Sequence, residues 1–392
     1  MKKDSIAQGR VNKPRQRRAS KGRMKEITGP GIRGIPEQTV GIDLGDETSR
    51  YAVLDREGAV KSERSVATKR KAMSEVFGKM SRSRIAFEVG THSAWVSRLL
   101  ASLGHEVIVA NARRVQLISH SSQKNDKMDA GLLARLARVD PALLYPIQHR
   151  GEKAQQHLAM IRARAAMVEG RTALVNTARG LTKTFGERLG KCDADQMGVG
   201  KLEGLPTAVQ AALEPLLGVV EEMTEKIQGY DKQLAEIARK EYPETALLEQ
   251  VSGVGVLIAL TFVLTLDDPS RFEHSREVGP YLGLRPKQHD SGESQPQLGI
   301  SKEGDVYLRK LLVQGAHCIV SRRGPDTDLK RWGLKLAGQA EQTAKKRQGN
   351  KNAKKRALVA VARKLAVLLH HLWVTGEVYE PLRNSQAEKA VA

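Results

Sequence analysis

Two short stretches, Thr39-Val40-Gly41-Ile42-Asp43 and Ile85-Ala86-Phe87-Glu88, decide the fold. Each is a brief, largely apolar run of strand length, and each ends on a carboxylate. Around them lie further runs of the same kind: Tyr51-Ala52-Val53-Leu54-Asp55, a more polar run ending at Val66, and Val107-Ile108-Val109-Ala110. Between the strands the period changes. Ala72, Val76, Phe77 and Met80 recur at helical spacing, Ala94 to Leu103 reads as a second helix, and Lys127 to Val139 as a third. The order strand, strand, strand, helix, strand, helix, strand, helix predicts a mixed sheet covered by helices, an α/β domain over residues 37–148.

Outward from that domain the composition shifts. Residues 1–36 hold eleven Lys or Arg against Asp4 and Glu26, with almost no apolar periodicity, and read as a disordered basic arm suited to phosphate contact. Residues 149–241 are rich in Ala, Leu, Glu, Lys and Arg. Leu158, Ile161, Ala165, Val168, Leu174 and Val175 form one helical face, and Leu217, Val220, Met223, Ile227, Tyr230 and Leu234 a second, separated by punctuating residues from Gly190 to Pro206. This predicts two long helices, packed as a hairpin or projecting as a coiled coil between protomers. Residues 242–376 read as a mostly α domain, whose last helix carries Leu358, Val361, Leu365, Leu368 and Leu372 on one stripe. The basic cluster Lys345, Lys346, Arg347, Lys351, Lys354, Lys355 and Arg356 precedes that stripe and is a candidate phosphate-contacting surface. Residues 377–392 read as a flexible tail.

The chain has 392 residues, with 65 Lys plus Arg against 44 Asp plus Glu, a net charge of +21 that favours a polyanionic partner, nucleic acid first. Aromatics are only 4 %, which suits helices packed with Ala, Leu and Val better than a β-sandwich. Cys192 and Cys318 are too few and too far apart for a disulfide framework or a cysteine zinc cluster. No stretch reads as a membrane span or a signal peptide, so a cytoplasmic, nucleoid-associated protein without a membrane partner is expected.

The chemistry-bearing residues are carboxylates. Asp43 ends the first predicted strand, Glu88 the fourth, and Asp126 and Asp129 stand three apart at the start of a helix, on one face, where unpaired anions repel. Each alone has a structural reading: a turn at a strand end, a pair between Glu88 and Arg84 or His92, a helix cap at Asp126. Together, in a basic protein, they are hard oxygen ligands for Mg²⁺, as a pair of ions with Mn²⁺ as a substitute, the machinery of a nuclease.

Val40-Gly41-Ile42-Asp43, Phe87-Glu88-Val89-Gly90-Thr91 and Asn125-Asp126-Lys127-Met128-Asp129-Ala130 resemble the three acidic blocks of the DEDD transposases of the insertion sequence 110/1111 family. The resemblance covers nearly the whole chain. It implies an RNase H-like N-terminal domain in its RuvC-like form, a helical or coiled-coil middle, and a mostly α C-terminal transposase domain. Gln250-Val251-Ser252-Gly253-Val254-Gly255 looks like a helix-hairpin-helix turn, in which backbone N–H groups supplied at Gly253 and Gly255 hold a phosphate; the family usually has Pro where this chain has Ser252. The run Tyr281-Leu282-Gly283-Leu284-Arg285-Pro286, His289-Asp290-Ser291-Gly292, Leu298 to Asp305 and Leu308-Arg309 is similar to the family's transposase block.

The family's essential serine maps onto Ser291, and by that resemblance its hydroxyl attacks a DNA phosphodiester to form a phosphoserine. Spacing alone reads Ser291-Gly292 as a turn. Lys302 and Arg309, in the same block, are candidates for neutralising charge on phosphorus. Gln295, Pro296 and Gln297 stand where the family often has a basic residue. His289 carries no family role, and Trp332 and Trp373 read as core. The resemblance further implies double-stranded target and donor DNA, an element-encoded noncoding guide RNA, and a homo-oligomer built as a dimer of dimers. A metal-dependent resolvase using water as nucleophile, and a noncatalytic nucleic-acid-binding scaffold, are the alternatives.

Overall fold

The computed structural model describes residues 34–115, 126–288, 298–346 and 353–385, with 291, 294 and 296; side chains are described for these except at 126–128, 339–346 and 353. The chain divides into two compact units, residues 1–149 and 150–392.

In the first unit β1 (Thr39–Asp43), β2 (Thr48–Leu54) and β3 (Val60–Ala67) are followed by α1 (Arg70–Phe77), β4 (Arg84–Glu88), α2 (Ser93–Ser102), β5 (Glu106–Ala110) and α3 (Asp126–Val139). The sheet order is β3-β2-β1-β4-β5. The hairpin strands β1, β2 and β3 pair antiparallel, while β1, β4 and β5 run parallel. Every strand read from the sequence is present, as is the mixed sheet.

Alternation divides the sheet residues between two helical layers. Val40, Ile42, Tyr51, Val53, Ile85, Phe87, Val107 and Val109 pack with Met73 and Phe77 of α1 and Val96 and Leu100 of α2. On the opposite face Ala86, Ile108 and Ala110 meet Leu133 and Ala137 of α3. The residues on this second face are small, so α3 comes close. A Cβ added to Gly41 would lie 2.0 Å from the Ala130 carbonyl oxygen and 2.6 Å from the Ala134 nitrogen. Only glycine permits that backbone-to-backbone approach.

The direction of α3 follows from two contacts. Ala130 lies over Gly41, and the Ala137 carbonyl accepts from Arg84 Nη1 at 3.1 Å at the start of β4. The helix therefore runs antiparallel to β1 and β4, with its first turn over the ends where Asp43 and Glu88 stand. At the other end Arg84 Nε donates to Glu106 at 2.6 Å, both side chains at most 5 % exposed. One edge of the sheet is closed by a bridge from Val109 to Ile147. The other edge, β3, is mostly polar and exposed, with Lys61, Glu63 and Arg64 at the surface.

The second unit opens with α4 (Glu152–Thr184) and α5 (Thr207–Glu241), 33 and 35 residues long. Of the two arrangements open to such helices, the chain forms the hairpin. Lys153 pairs with Glu241, Arg164 with Asp231, and Arg171 Nη1 donates to Thr224 at 3.1 Å, a descending series that defines antiparallel packing. At the far end Val175, Ala178, Leu213 and Leu217 are sealed by Leu189, Met197 and Leu202 of the connector. At the near end Leu158, Ile161, Leu234 and Ala238 share a cluster with Leu260 and Leu264 of α7.

Besides a single helical turn at Val278–Tyr281, the remaining helices are α6 (Thr245–Glu249), α7 (Val256–Leu266), α8 (Val306–Val320), α9 (Asp328–Lys346) and α10 (Ala353–Thr375). Their core gathers Phe262, Leu308, Leu312, Val361, Leu365 and Leu369, with Trp332 and Trp373 packed at its margin as expected. The segment 354–375 is long and apolar enough to cross a membrane by length and composition, which the sequence reading did not anticipate. Of its predicted stripe, Leu358, Val361, Leu365 and Leu372 lie instead in this core together with Leu369, while Leu368 is partly buried at the core's margin. The basic arm up to residue 33, together with Arg347 and Lys351, lies outside the described residues.

Candidate active site

Strand pairing brings the first two carboxylates together. The parallel register sets Ile42 beside Phe87, so Asp43 and Glu88 follow as neighbours on adjacent strands. By alternation both share a face with Gly41 and Ala86, the face covered by α3. That helix begins at Asp126, and Asp129 precedes the Ala130 carbonyl that rests on Gly41. Asp43, Glu88 and the first turn of α3 thus converge at one end of one face. Among the described side chains, no three His, Cys, Asp or Glu residues group closely enough to hold a metal ion. The Asp126 side chain lies outside the described residues, while its backbone begins the helix. By donor type the set fits a hard divalent cation, since carboxylate oxygens are what Mg²⁺ and Mn²⁺ accept.

The structural pairings weighed for Glu88 have other occupants. Arg84 is committed to Glu106, and His92 Nε2 lies 3.1 Å from Asp46 Oδ1. Trp95 Nε1 donates to His92 Nδ1 at 3.1 Å, so the ring proton sits on Nε2 and points to Asp46. A residue that sequence reading passed over stands beside Asp43. Arg50 is its cross-strand partner in the β1–β2 register, is exposed, and lines a cavity of about 240 Å³ with Ala52, Glu63, Ser65 and Ala130. Its only sequence signal was a cation just before the predicted strand Tyr51 to Asp55.

In the second unit, Ser291 sits far along a two-armed loop between Gly283 and Gly304. Lys287 N–H donates to Gly299 O at 2.9 Å, Ser301 N–H to Arg285 O at 2.9 Å and Lys302 N–H to Gly283 O at 3.1 Å. Pro286 and Ile300 bridge the arms, and Ser291 and Ser294 bridge antiparallel with reciprocal bonds of 3.1 and 3.0 Å. Ser291 is exposed.

The base of this loop is backbone packed on backbone. A Cβ on Gly283 would lie 2.2 Å from Glu303 O, and one on Gly304 2.2 Å from Tyr281 O; both glycines adopt left-handed φ, +68° and +72°. Lys302 is also left-handed, at φ 59°, and is exposed. Arg309 is placed differently from a phosphate-facing residue. It is 9 % exposed, and its Nη1 donates to Leu282 O at 2.9 Å and Glu303 O at 2.7 Å, tying the base together. The cations on the arms that do reach the surface are Arg285 and Lys287, beside Lys302. His289, Asp290, Gly292, Gln295 and Gln297 lie outside the described residues.

The glycine turn before α7 is present. Gly253 has φ +84°, and a Cβ there would lie 2.7 Å from Gly315 O of α8, so the turn crosses that helix at a pair of glycines. Gly255 caps α7 in an extended conformation, leaving the N–H groups of the first turn without intrahelical partners. Of the basic cluster, Lys354 and Lys355 are exposed and Arg356 half-buried; Lys345 and Lys346 end α9, their side chains outside the described set.

Both regions match family models. A DEDD transposase model of the IS110 type, described as Transposase, matches residues 40–185, and one described as Transposase IS116/IS110/IS902 family matches residues 245–330. The chain is 30 % identical over 264 residues to the transposase for insertion sequence element IS1111A of Coxiella burnetii, covering 66 % of this chain and 69 % of that one. It is 28 % identical to a probable family 20 transposase of Pseudomonas aeruginosa, over 75 % of this chain and 87 % of the relative. A putative transposase of Sinorhizobium fredii, y4pF/y4sB, is 27 % identical over 88 % of each chain. With matched models on both the acidic sheet and the serine-bearing loop, the chain belongs to the IS110-type transposases, enzymes that cut and rejoin DNA.

Proposed function

We propose that this transposase recombines DNA through a phosphoserine at Ser291, with Asp43, Glu88, Asp126 and Asp129 holding divalent metal in an RNase H-like, RuvC-type domain. The observation that carries the reading is the loop that bears the serine. Its base is fixed by Gly283, Gly304 and Arg309, its arms carry exposed Arg285, Lys287 and Lys302, and Ser291 itself is exposed. A free serine is a poor nucleophile, so it needs an activating group and a neutralised phosphate. Bound Mg²⁺ supplies Lewis-acid polarisation of a phosphoryl oxygen. The protein's own part is to present Oγ, to neutralise the phosphate with the arm cations, and, through Arg50 beside Asp43, to hold a strand against the acidic end of the sheet.

In the cutting step the Oγ–P bond forms as one P–O bond of the phosphodiester breaks. The hydroxyl proton leaves Oγ and the departing sugar oxygen takes one up. The number of ester bonds is unchanged, so rejoining is the reverse step and needs no nucleotide hydrolysis. The sequence carries no GxxxxGK[ST] motif, in keeping with that economy. Target and donor duplexes, a noncoding guide RNA encoded by the element, Gly253, Gly255, Lys302 and the 345–356 basic cluster as nucleic-acid contacts, and a dimer of dimers complete the proposal.

Ser291→Ala is expected to abolish the covalent protein–DNA adduct seen on a denaturing gel with labelled junction DNA and Mg²⁺. Undiminished cleavage with free ends would replace the serine by water and make the protein a resolvase-like nuclease. Asp43→Asn and Asp129→Asn are expected to lose strand cleavage and keep DNA binding; full activity in both would leave only a scaffold.

A further inference from the structure

Along the shaft of the long hairpin several cations are in ion pairs, and among the described residues the four at its tip are in none. Along the shaft Lys153 meets Glu241 at 2.8 Å, Arg164 meets Asp231 at 2.5 Å, Lys240 meets Glu236 at 2.5 Å, and Glu169 receives Lys310 at 3.0 Å. At the tip Arg179, Lys183, Arg188 and Lys191 line one recess of about 420 Å³ with Leu189, Gly190 and Cys192. Among the described residues none of these four side chains is in an ion pair. Arg179 Nη2 donates to Cys192 O at 2.6 Å, which holds the connector against α4 and fixes the recess. The connector's own carboxylates, Glu187, Asp193, Asp195 and Glu203, are exposed and do not line it.

Four like charges around one recess repel, and a bound anion removes that repulsion. The neighbourhood is not that of a small-anion site. Leu181, in the last turn of α4 with Lys183, is 43 % exposed, and Phe185, which caps that helix, is 63 % exposed. Cations interleaved with an exposed aromatic suit a nucleic acid, whose phosphates take the charge and whose bases or sugars cover the ring. The place is remote: 33 helical residues put the tip about 50 Å from the start of α4.

We infer that the hairpin tip is a phosphodiester-binding site formed by Arg179, Lys183, Arg188 and Lys191, which grips nucleic acid backbone at the end of the hairpin away from the start of α4. Duplex DNA and folded RNA offer the same phosphates, and the test separates them. The full chain carrying Asp43→Asn, which prevents cutting, is compared with the same chain carrying Lys183→Ala, Arg188→Ala and Lys191→Ala; Arg179 is kept because it holds the connector.

Binding to a 30-base-pair duplex, and separately to a hairpin RNA of similar length, is measured across a salt series. On at least one probe the slope of log K against log salt is expected to fall by about 2 to 3, with affinity lower by about tenfold or more near 100 mM salt. The probe that loses affinity names the source, and loss on both means that the recess reads backbone alone. Unchanged slopes on both probes overturn the proposal. An unchanged melting temperature verifies folding; if the triple variant unfolds, Lys183→Ala alone, with a slope change near 1, takes its place. The assay reads binding without cleavage, so its outcome is independent of the phosphoserine.

Discussion

The two ends of the N-terminal sheet are made from the same strands and are opposite in character. At the end where β4 and β5 begin, Arg84 and Glu106 are buried together, and Arg84 also holds the last turns of α3 through the Ala137 carbonyl. His105 beside them is 1 % exposed, with Nδ1 accepting from Ser83 N–H at 3.2 Å and Nε2 donating to Phe77 O at 3.0 Å. At the end where β1 and β4 finish, Asp43 and Glu88 lie side by side under the start of α3, and the neighbouring cation Arg50 is exposed. Charges at the closed end are neutralised inside the protein. At the open end the carboxylates Asp43 and Glu88 stand side by side next to an exposed cation. The closed end stabilises the fold, and α3 carries that rigidity to the open end.

Breaking the closed end should have the largest effect on stability. Arg84→Met strands Glu106 without its charge partner and is expected to cost about 3–5 kcal/mol, read as a lowered unfolding midpoint. Adding Glu106→Leu should recover most of it; no recovery would mean that Arg84 acts mainly through Ala137. Gly41→Ala forces a Cβ into the α3 backbone, with an expected loss of about 1–3 kcal/mol and a fall in cleavage, because the first turn of α3 shifts away from Asp43. Gly131→Ala, where no atom lies within 4 Å of the added Cβ, is the matched control and should be neutral or stabilising by up to about 1 kcal/mol.

At the open end, Arg50→Ala should leave the melting temperature in place and weaken DNA binding, lowering the salt slope by about 1, with Arg50→Lys restoring most of it. A change in melting without a change in slope would make Arg50 structural. The smallest effect is a pH dependence at the closed end. Burial holds His105 below its ordinary value of 6.5. The unfolded chain therefore takes up its proton first, and stability should decline as pH falls below 6.5 toward the lowered folded value. Thermal melts between pH 7 and 5 measure it, and His105→Gln should flatten this part of the profile.

The sheet was legible in the sequence because alternation and strand length are local properties: every strand and the helix bearing Asp126 and Asp129 appear where the pattern put them. Gly41 was legible only as a motif letter. Its physical reason, a helix backbone 2.0 Å from where a Cβ would lie, depends on a segment some ninety residues later in the chain. The arms of the Ser291 loop were less legible still, since Pro286 and Ile300 meet through isolated pairing that leaves no periodic trace. Arg309 shows the limit most clearly. A cation in a polar block reads as a phosphate contact, yet two carbonyls, at Leu282 and Glu303, take up its guanidinium. Only the fold shows where a charge is spent.

The outermost strand of the sheet has a consequence for how copies of the chain coexist. A bare strand edge is an invitation for another chain to add itself. On β3, Lys61, Glu63 and Arg64 stand along that rim. Joining two such rims would strip water from several charges at once, which disfavours edge-to-edge pairing.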